Sequence, residues 1–244
     1  MKKLFDKSEI WFAVIWIIVY LVGSSAADII SAQIGFEKAV TLPFHAILTT
    51  VLLIWVSKNG LKEYFGLCKP QIKPSKLLYY IPLVILASCN LWMGFFINKP
   101  LAETVCYILS MLCVGILEEL IMRGFLFKAM CKDNVKTAII VSGITFGIGH
   151  IVNLFNGSGA ELLSNICQVC YAISFGFLFV IIFLKSKSII PYIITHCVFN
   201  SLSVFANYSA YQNETEIIIS LILIVISAGY TIFIIKANKE QNPA

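Results

Sequence analysis

Four ionisable positions fall where an apolar helix should not hold them: the pair Glu118 and Glu119 in GILEELIMRGFLF, His150 in FGIGH and His196 in HCVFN. A charged side chain at the centre of a spanning helix costs about 2.5–3.5 kcal/mol on insertion scales, so such groups mark function unless they only tie helix to helix. Their spacing says how each would work. Glu119 and Arg123 are four apart and share a helix face, where they can pair, while Glu118 points about 100° away. One carboxylate is then structural and the other is free. Arg123 is the only arginine, against 17 lysines, so this position asks for a fixed planar donor to a carboxylate. Phe146 and His150 are again four apart, and Gly143 and Gly147 form a GxxxG with Gly149 adjacent, which lets a neighbouring helix approach closely. His196 and Asn200 share one face in the same way. A free carboxylate with imidazoles holds or polarises a water, directly or through a divalent cation such as zinc. An asparagine and a second histidine supply hydrogen bonds to a developing oxyanion. These are the parts of a metal-assisted or general-base amide hydrolysis. The competing reading is polar glue between helices.

The elements that must position these groups are membrane spans. Of 244 residues, 59 % are hydrophobic and 13 % charged, against about 45–50 % and about 25 % in soluble domains. A soluble fold could not cover so much apolar surface, and the composition also excludes a disordered chain, a disulfide-stapled module and a nucleic-acid binder. Eight segments approach the length of about 20 residues that a span needs. They run roughly Ile10 to Ile30, Val40 to Val56, Leu77 to Ile97, Thr104 to Leu126, Thr137 to Phe155, Leu162 to Leu184, Ile189 to Tyr208 and Glu216 to Ile235. The expected fold class is thus all-α, a polytopic bundle of about eight transmembrane helices in a single domain, residues 1–244, with both termini cytoplasmic.

Charge tests that count, because basic residues collect in cytoplasmic loops. With the N-terminus inside, the inner ends carry Lys2, Lys3, Lys7, Lys58, Lys62, Lys69, Lys73, Lys76, Arg123, Lys128, Lys132, Lys136, Lys185, Lys187, Lys236 and Lys239, and only Lys38 and Lys99 lie outside. The net charge of +5 therefore reflects topology. Counted from the inner ends at 1.5 Å per residue, Glu118, His150 and His196 each lie roughly 10–20 Å deep. The basic start and GSSAA of the first span resemble a cleaved signal peptide, but Asp6, Glu9 and the apolar residues resuming after Asp28 favour a retained helix. Six of the eight cysteines fall inside spans and read as small hydrophobes, Cys167 and Cys170 included. His45, in LPFHAIL, reads as a packing or helix-end histidine.

The segments Glu118-Glu119-x-x-x-Arg123, Phe146-x-x-x-His150 and His196-x-x-x-Asn200, in this order on successive spans, resemble the signature of the CPBP (Abi) family. That family joins type II CAAX prenyl endopeptidases to bacterial proteins of bacteriocin processing and self-immunity. The motif-bearing core is about 104–208. The resemblance implies that Glu118 activates a water with His150, that His196 and Asn200 stabilise the oxyanion, and that Glu119 and Arg123, with Phe146, are structural. It makes Glu118, His150 and His196 the candidate ligands of a divalent metal ion, zinc by preference. HExxH, GxGD and GxSG patterns of other intramembrane hydrolases are missing. The lead expectation is an intramembrane endopeptidase acting on a membrane-associated peptide or protein, its chamber open to the cytoplasm, in a bacterial plasma membrane suggested by the abundance of Lys, Ile and Asn. A bacteriocin immunity protein that acts by binding is the alternative. A proton- or cation-coupled transporter is third, though no inverted repeat supports it.

Overall fold

The computed structural model describes residues 1–71, 80–210 and 212–239, with side chains through Lys236. Leu77, the expected start of the third span, and the inner lysines Lys73 and Lys76 lie outside the described residues. The chain is an all-helical bundle, and among the described residues the sole extended pairing is the isolated bridge between Phe95 and Ala206. In order, the helices are α1 (Lys2–Lys7), α2 (Glu9–Ile34), α3 (Thr41–Lys58), α4 (Ile81–Ala87), α5 (Leu101–Glu119), α6 (Lys128–Cys131), α7 (Val135–Ile148), α8 (Leu162–Ser186), α9 (Ile190–Leu202) and α10 (Asn213–Lys239). A π-helical stretch, Leu120–Phe127, joins α5 to α6, so Leu101–Cys131 is one continuous rod. Among the described residues six helices are long and apolar enough to cross a membrane. Their outer faces leave Trp11, Val22, Ile47, Leu162 and Val225 exposed, a surface suited to lipid rather than water.

Two of the eight expected spans depart, within the described residues, from a single long helix. The described part of the third holds α4, a single turn at Cys89–Leu91 and a left-handed Gly94, and the seventh is Ile190–Phe205. Backbone groups freed at depth must be satisfied within the protein, and here the two segments satisfy each other. Asn90 Nδ2 donates to Phe199 O (2.7 Å), Asn98 Nδ2 to Val204 O and Ala206 O (2.9 Å each), and Asn207 Nδ2 to Met93 O (3.1 Å). At the far end of α9 the Gln71 amide donates to Ser186 O (2.7 Å). The stretch from Gln71 to Phe95 therefore has its two ends at opposite ends of α9.

Glycines set how closely the site-bearing helices approach. A Cβ on Gly115 of α5 would lie 2.9 Å from the Cys197 amide nitrogen of α9, and one on Gly147 of α7 would lie 2.6 Å from the Ile173 amide nitrogen of α8. The lysine-rich end is closed by an aromatic cluster of Phe5, Phe12, Trp55, Phe65 and Phe125, all buried, with Phe12 stacked on Trp55 at 4.6 Å and Phe65 edge-on to Phe125 at 4.8 Å. Just outside it, Glu9 accepts from Tyr64 (2.7 Å) and Lys132 (2.7 Å). Burial and the Glu9 carboxylate raise the Tyr64 pKa, and the bond to Glu9 raises that of Lys132. The lysine-poor end is tied by Lys38 to Asp28 (2.8 Å) and Lys99 to Glu37 (3.0 Å).

Candidate active site

Glu118 and Glu119 sit on the last turn of α5, where the helix widens into the π-helical stretch that carries Arg123. Such interruptions are frequent at functional sites because they turn a side chain out of regular register. Arg123 Nη1 donates to Glu119 Oε1 at 3.2 Å, with both side chains wholly buried. The guanidinium carbon also lies 4.1 Å from the Phe146 ring centroid and 5.5 Å from that of Phe179. Stacking of this kind suits a planar cation and not an ammonium, which gives the lone arginine its reason.

Glu119 Oε1 has a second partner, His196 Nδ1, at 3.0 Å. An oxygen already paired with a guanidinium is an acceptor, so Nδ1 carries the hydrogen and the ring is fixed in tautomer and orientation. His196 Nε2 then faces Glu118 Oε2 at 3.6 Å, within ion-pair range. The other oxygen, Glu118 Oε1, accepts from Tyr20 OH on α2 at 2.6 Å. Glu118 keeps 13 % of its side chain exposed, against none for Glu119. The two adjacent carboxylates are thereby separated in role.

His150 lies just past α7, where the helix tightens into a 3₁₀ stretch, Gly149–Leu154. Its carbonyl accepts from Asn165 Nδ2 of α8 at 2.8 Å, a side-chain bond that anchors this stretch to α8. Phe146 stands edge-on to both imidazoles, 5.5 Å from His150 and 5.7 Å from His196. His150, His196 and Asn200 line a small cavity of about 30 Å³, above the roughly 10–15 Å³ that one water needs. Glu118, His150 and Asn200 also line a large cavity of about 730 Å³. Phe146, His150 and Asn200 line both cavities, Glu118 the large one and His196 the small one, so the two cavities adjoin around these residues.

The large cavity extends from Glu118 to Asp28, Lys38, Ser158 and Tyr208 at the lysine-poor end, and no member of the aromatic cluster at the other end lines it. The chamber expected to open on the lysine-rich, cytoplasmic side instead runs the opposite way, because the aromatic cluster closes that end. Glu118 and His196 present two donors, but among the described residues no group of three His, Cys, Asp or Glu side chains forms that would hold a metal ion.

His45 is buried between two serines, with Nε2 2.9 Å from Ser24 Oγ of α2 and Nδ1 2.9 Å from Ser110 Oγ of α5. It joins three helices and is the packing histidine its surroundings suggested. Sequence reasoning missed Tyr20 and Asn90, which also line the large cavity. A tyrosine among apolar residues looks like packing, and no motif spacing links either residue to the acidic pair.

Residues 100–202 match the family model described as type II CAAX prenyl endopeptidase Rce1-like. The segment holds Glu118, Glu119, Arg123, Phe146, His150, His196 and Asn200, and excludes Tyr20 and His45. The matched segment is the one that carries the three motifs, and the chain is similar to that family there. No curated protein matches the chain.

Proposed function

We propose that the chain is an intramembrane endopeptidase in which Glu118 activates a water against a peptide bond of a membrane-associated peptide or protein. The carrying observation is the convergence of Glu118, His150, His196 and Asn200 from three helices on adjoining cavities, one of them water-sized. With a proton on His196 Nε2, Glu118 serves as an anionic base. It takes a proton from the water, which His150 orients, as the water oxygen bonds to the carbonyl carbon. His196 Nε2–H and Asn200 Nδ2 donate to the resulting oxyanion. When the C–N bond breaks, the proton on Glu118 passes to the leaving amine, leaving a carboxylic acid and an amine as products. Every step uses side chains of this chain, with Glu119, Arg123 and Phe146 holding His196 in place.

The reading extends to topology. Eight crossings with both termini on the cytoplasmic face of a bacterial plasma membrane agree with the lysine distribution and with Gln71 and Phe95 lying at opposite ends of α9. The substrate would then reach the site from the lysine-poor face. A second reading, a bacteriocin self-immunity protein that captures a peptide without cutting it, draws on the size of the 730 Å³ cavity.

Purified protein in liposomes, offered a library of lipid-anchored fluorogenic peptides, separates the two. Cleavage that Glu118→Gln and His150→Ala both abolish supports the protease. Saturable binding without cleavage, unchanged in Glu118→Gln, supports capture and overturns it.

A further inference from the structure

Tyr20 lies on α2, outside the segment that matches the family, yet its hydroxyl makes the one direct hydrogen bond that Glu118 receives among the described residues. At 2.6 Å it has the length of a charge-assisted O–H···O⁻ contact, roughly twice as strong as a neutral one. It occupies Oε1 and leaves Oε2 toward His196. A free glutamate rotates about its side-chain bonds, whereas one held at Oε1 presents a single oxygen to the water.

The position of Tyr20 is itself built. Four residues on, Ser24 shares its helix face and bonds His45, which bonds Ser110 on α5. The His45 and Tyr20 rings stand 5.9 Å apart at a tilt of 32°. This chain of contacts fixes the rotation and height of α2 against α5, the helix that carries Glu118. The buried histidine that fits no motif is thereby accounted for.

We infer that Tyr20 is a positioning residue for the general base, aligning Glu118 through Oε1, and that His45 acts behind it by clamping α2 to α5. The inference rests on the protease reading for its kinetic consequence, but the contact is testable without it. Tyr20→Phe keeps the ring and removes only the donor. Losing one hydrogen bond to a charged group predicts a fall in kcat of about 10–100-fold with KM within about two-fold, at an unchanged melting temperature. In infrared difference spectra, the carboxyl band absent from Glu118→Gln should shift in Tyr20→Phe. A role in packing alone would move neither kcat at constant KM nor that band. An unshifted band, or wild-type kcat in Tyr20→Phe, overturns the inference. Cleavage that survives Glu118→Gln overturns the assignment of Glu118 as the base instead, and the band then still decides whether Tyr20 aligns Glu118.

Discussion

Glu119 Oε1 lies 3.0 Å from His196 Nδ1 while the same oxygen accepts from Arg123 Nη1 at 3.2 Å. One buried oxygen thus ties the π-helical stretch to α9 and orients the imidazole that faces Glu118. The acidic pair works as a unit in which the second carboxylate builds the environment of the first.

Arg123→Met leaves Glu119 as a buried carboxylate without its cation. Breaking a buried pair from one side costs about 3–5 kcal/mol, expected as a melting temperature lower by about 10 °C in detergent. The double variant Arg123→Met with Glu119→Gln removes the stranded charge and should regain much of that loss. It should stay inactive, because Glu119 no longer fixes His196. Recovery of cleavage in the double variant would show that the orientation of His196 is set elsewhere.

Asn200→Ala removes one donor to the oxyanion. A fall in kcat of about 10²–10³-fold is expected, with peptide affinity largely kept, since the donor acts in the transition state more than in the ground state. Equal losses in kcat/KM and binding would place Asn200 in substrate recognition.

Gly147→Ala puts a methyl group 2.6 Å from the backbone nitrogen of Ile173. Backbone cannot yield as a side-chain tip can, so α7 must move away from α8, at about 1–3 kcal/mol for overpacking. The bond from Asn165 Nδ2 to His150 O bridges the same pair of helices. The variant should therefore melt lower and lose activity, while Gly149→Ala, which meets nothing within 4 Å, should melt as wild type does.

The direction of the large cavity is open to labelling. In a background with the native cysteines replaced, Ser158→Cys at the lysine-poor end and Lys187→Cys at the lysine-rich end should react with an impermeant maleimide in vesicles of opposite orientation. A peptide that is cleaved should slow the labelling of Ser158→Cys alone. Protection of Lys187→Cys instead would place the substrate path on the lysine-rich side.

Much of this site is legible in the sequence because charge is scarce in the spans. Glu118, Glu119, Arg123, His150 and His196 stand out against apolar neighbours, and their four-residue spacings foretell which pairs share a face. Tyr20 escapes the same filter, since its ring is compatible with lipid and only its hydroxyl does chemistry. The breaks after Ala87 and after Phe205 escape as well: the apolar stretches run on past them, and Asn90, Asn98 and Asn207 bond there to backbone far away in the chain. Which end of the chamber opens depends on how Phe5, Phe12, Trp55, Phe65 and Phe125 gather from five separate segments, a relation with no local signature.

That aromatic floor has an electrical consequence. A chamber of about 730 Å³ holding carboxylate and imidazole groups within the bilayer would, if it ran through, let protons cross and discharge the gradient across it. A charge moved through 100 mV gives up about 2.3 kcal/mol, so even a slow leak would drain the cell's energy supply. With one end stoppered by aromatic rings, the chamber can carry water to Glu118 and still insulate.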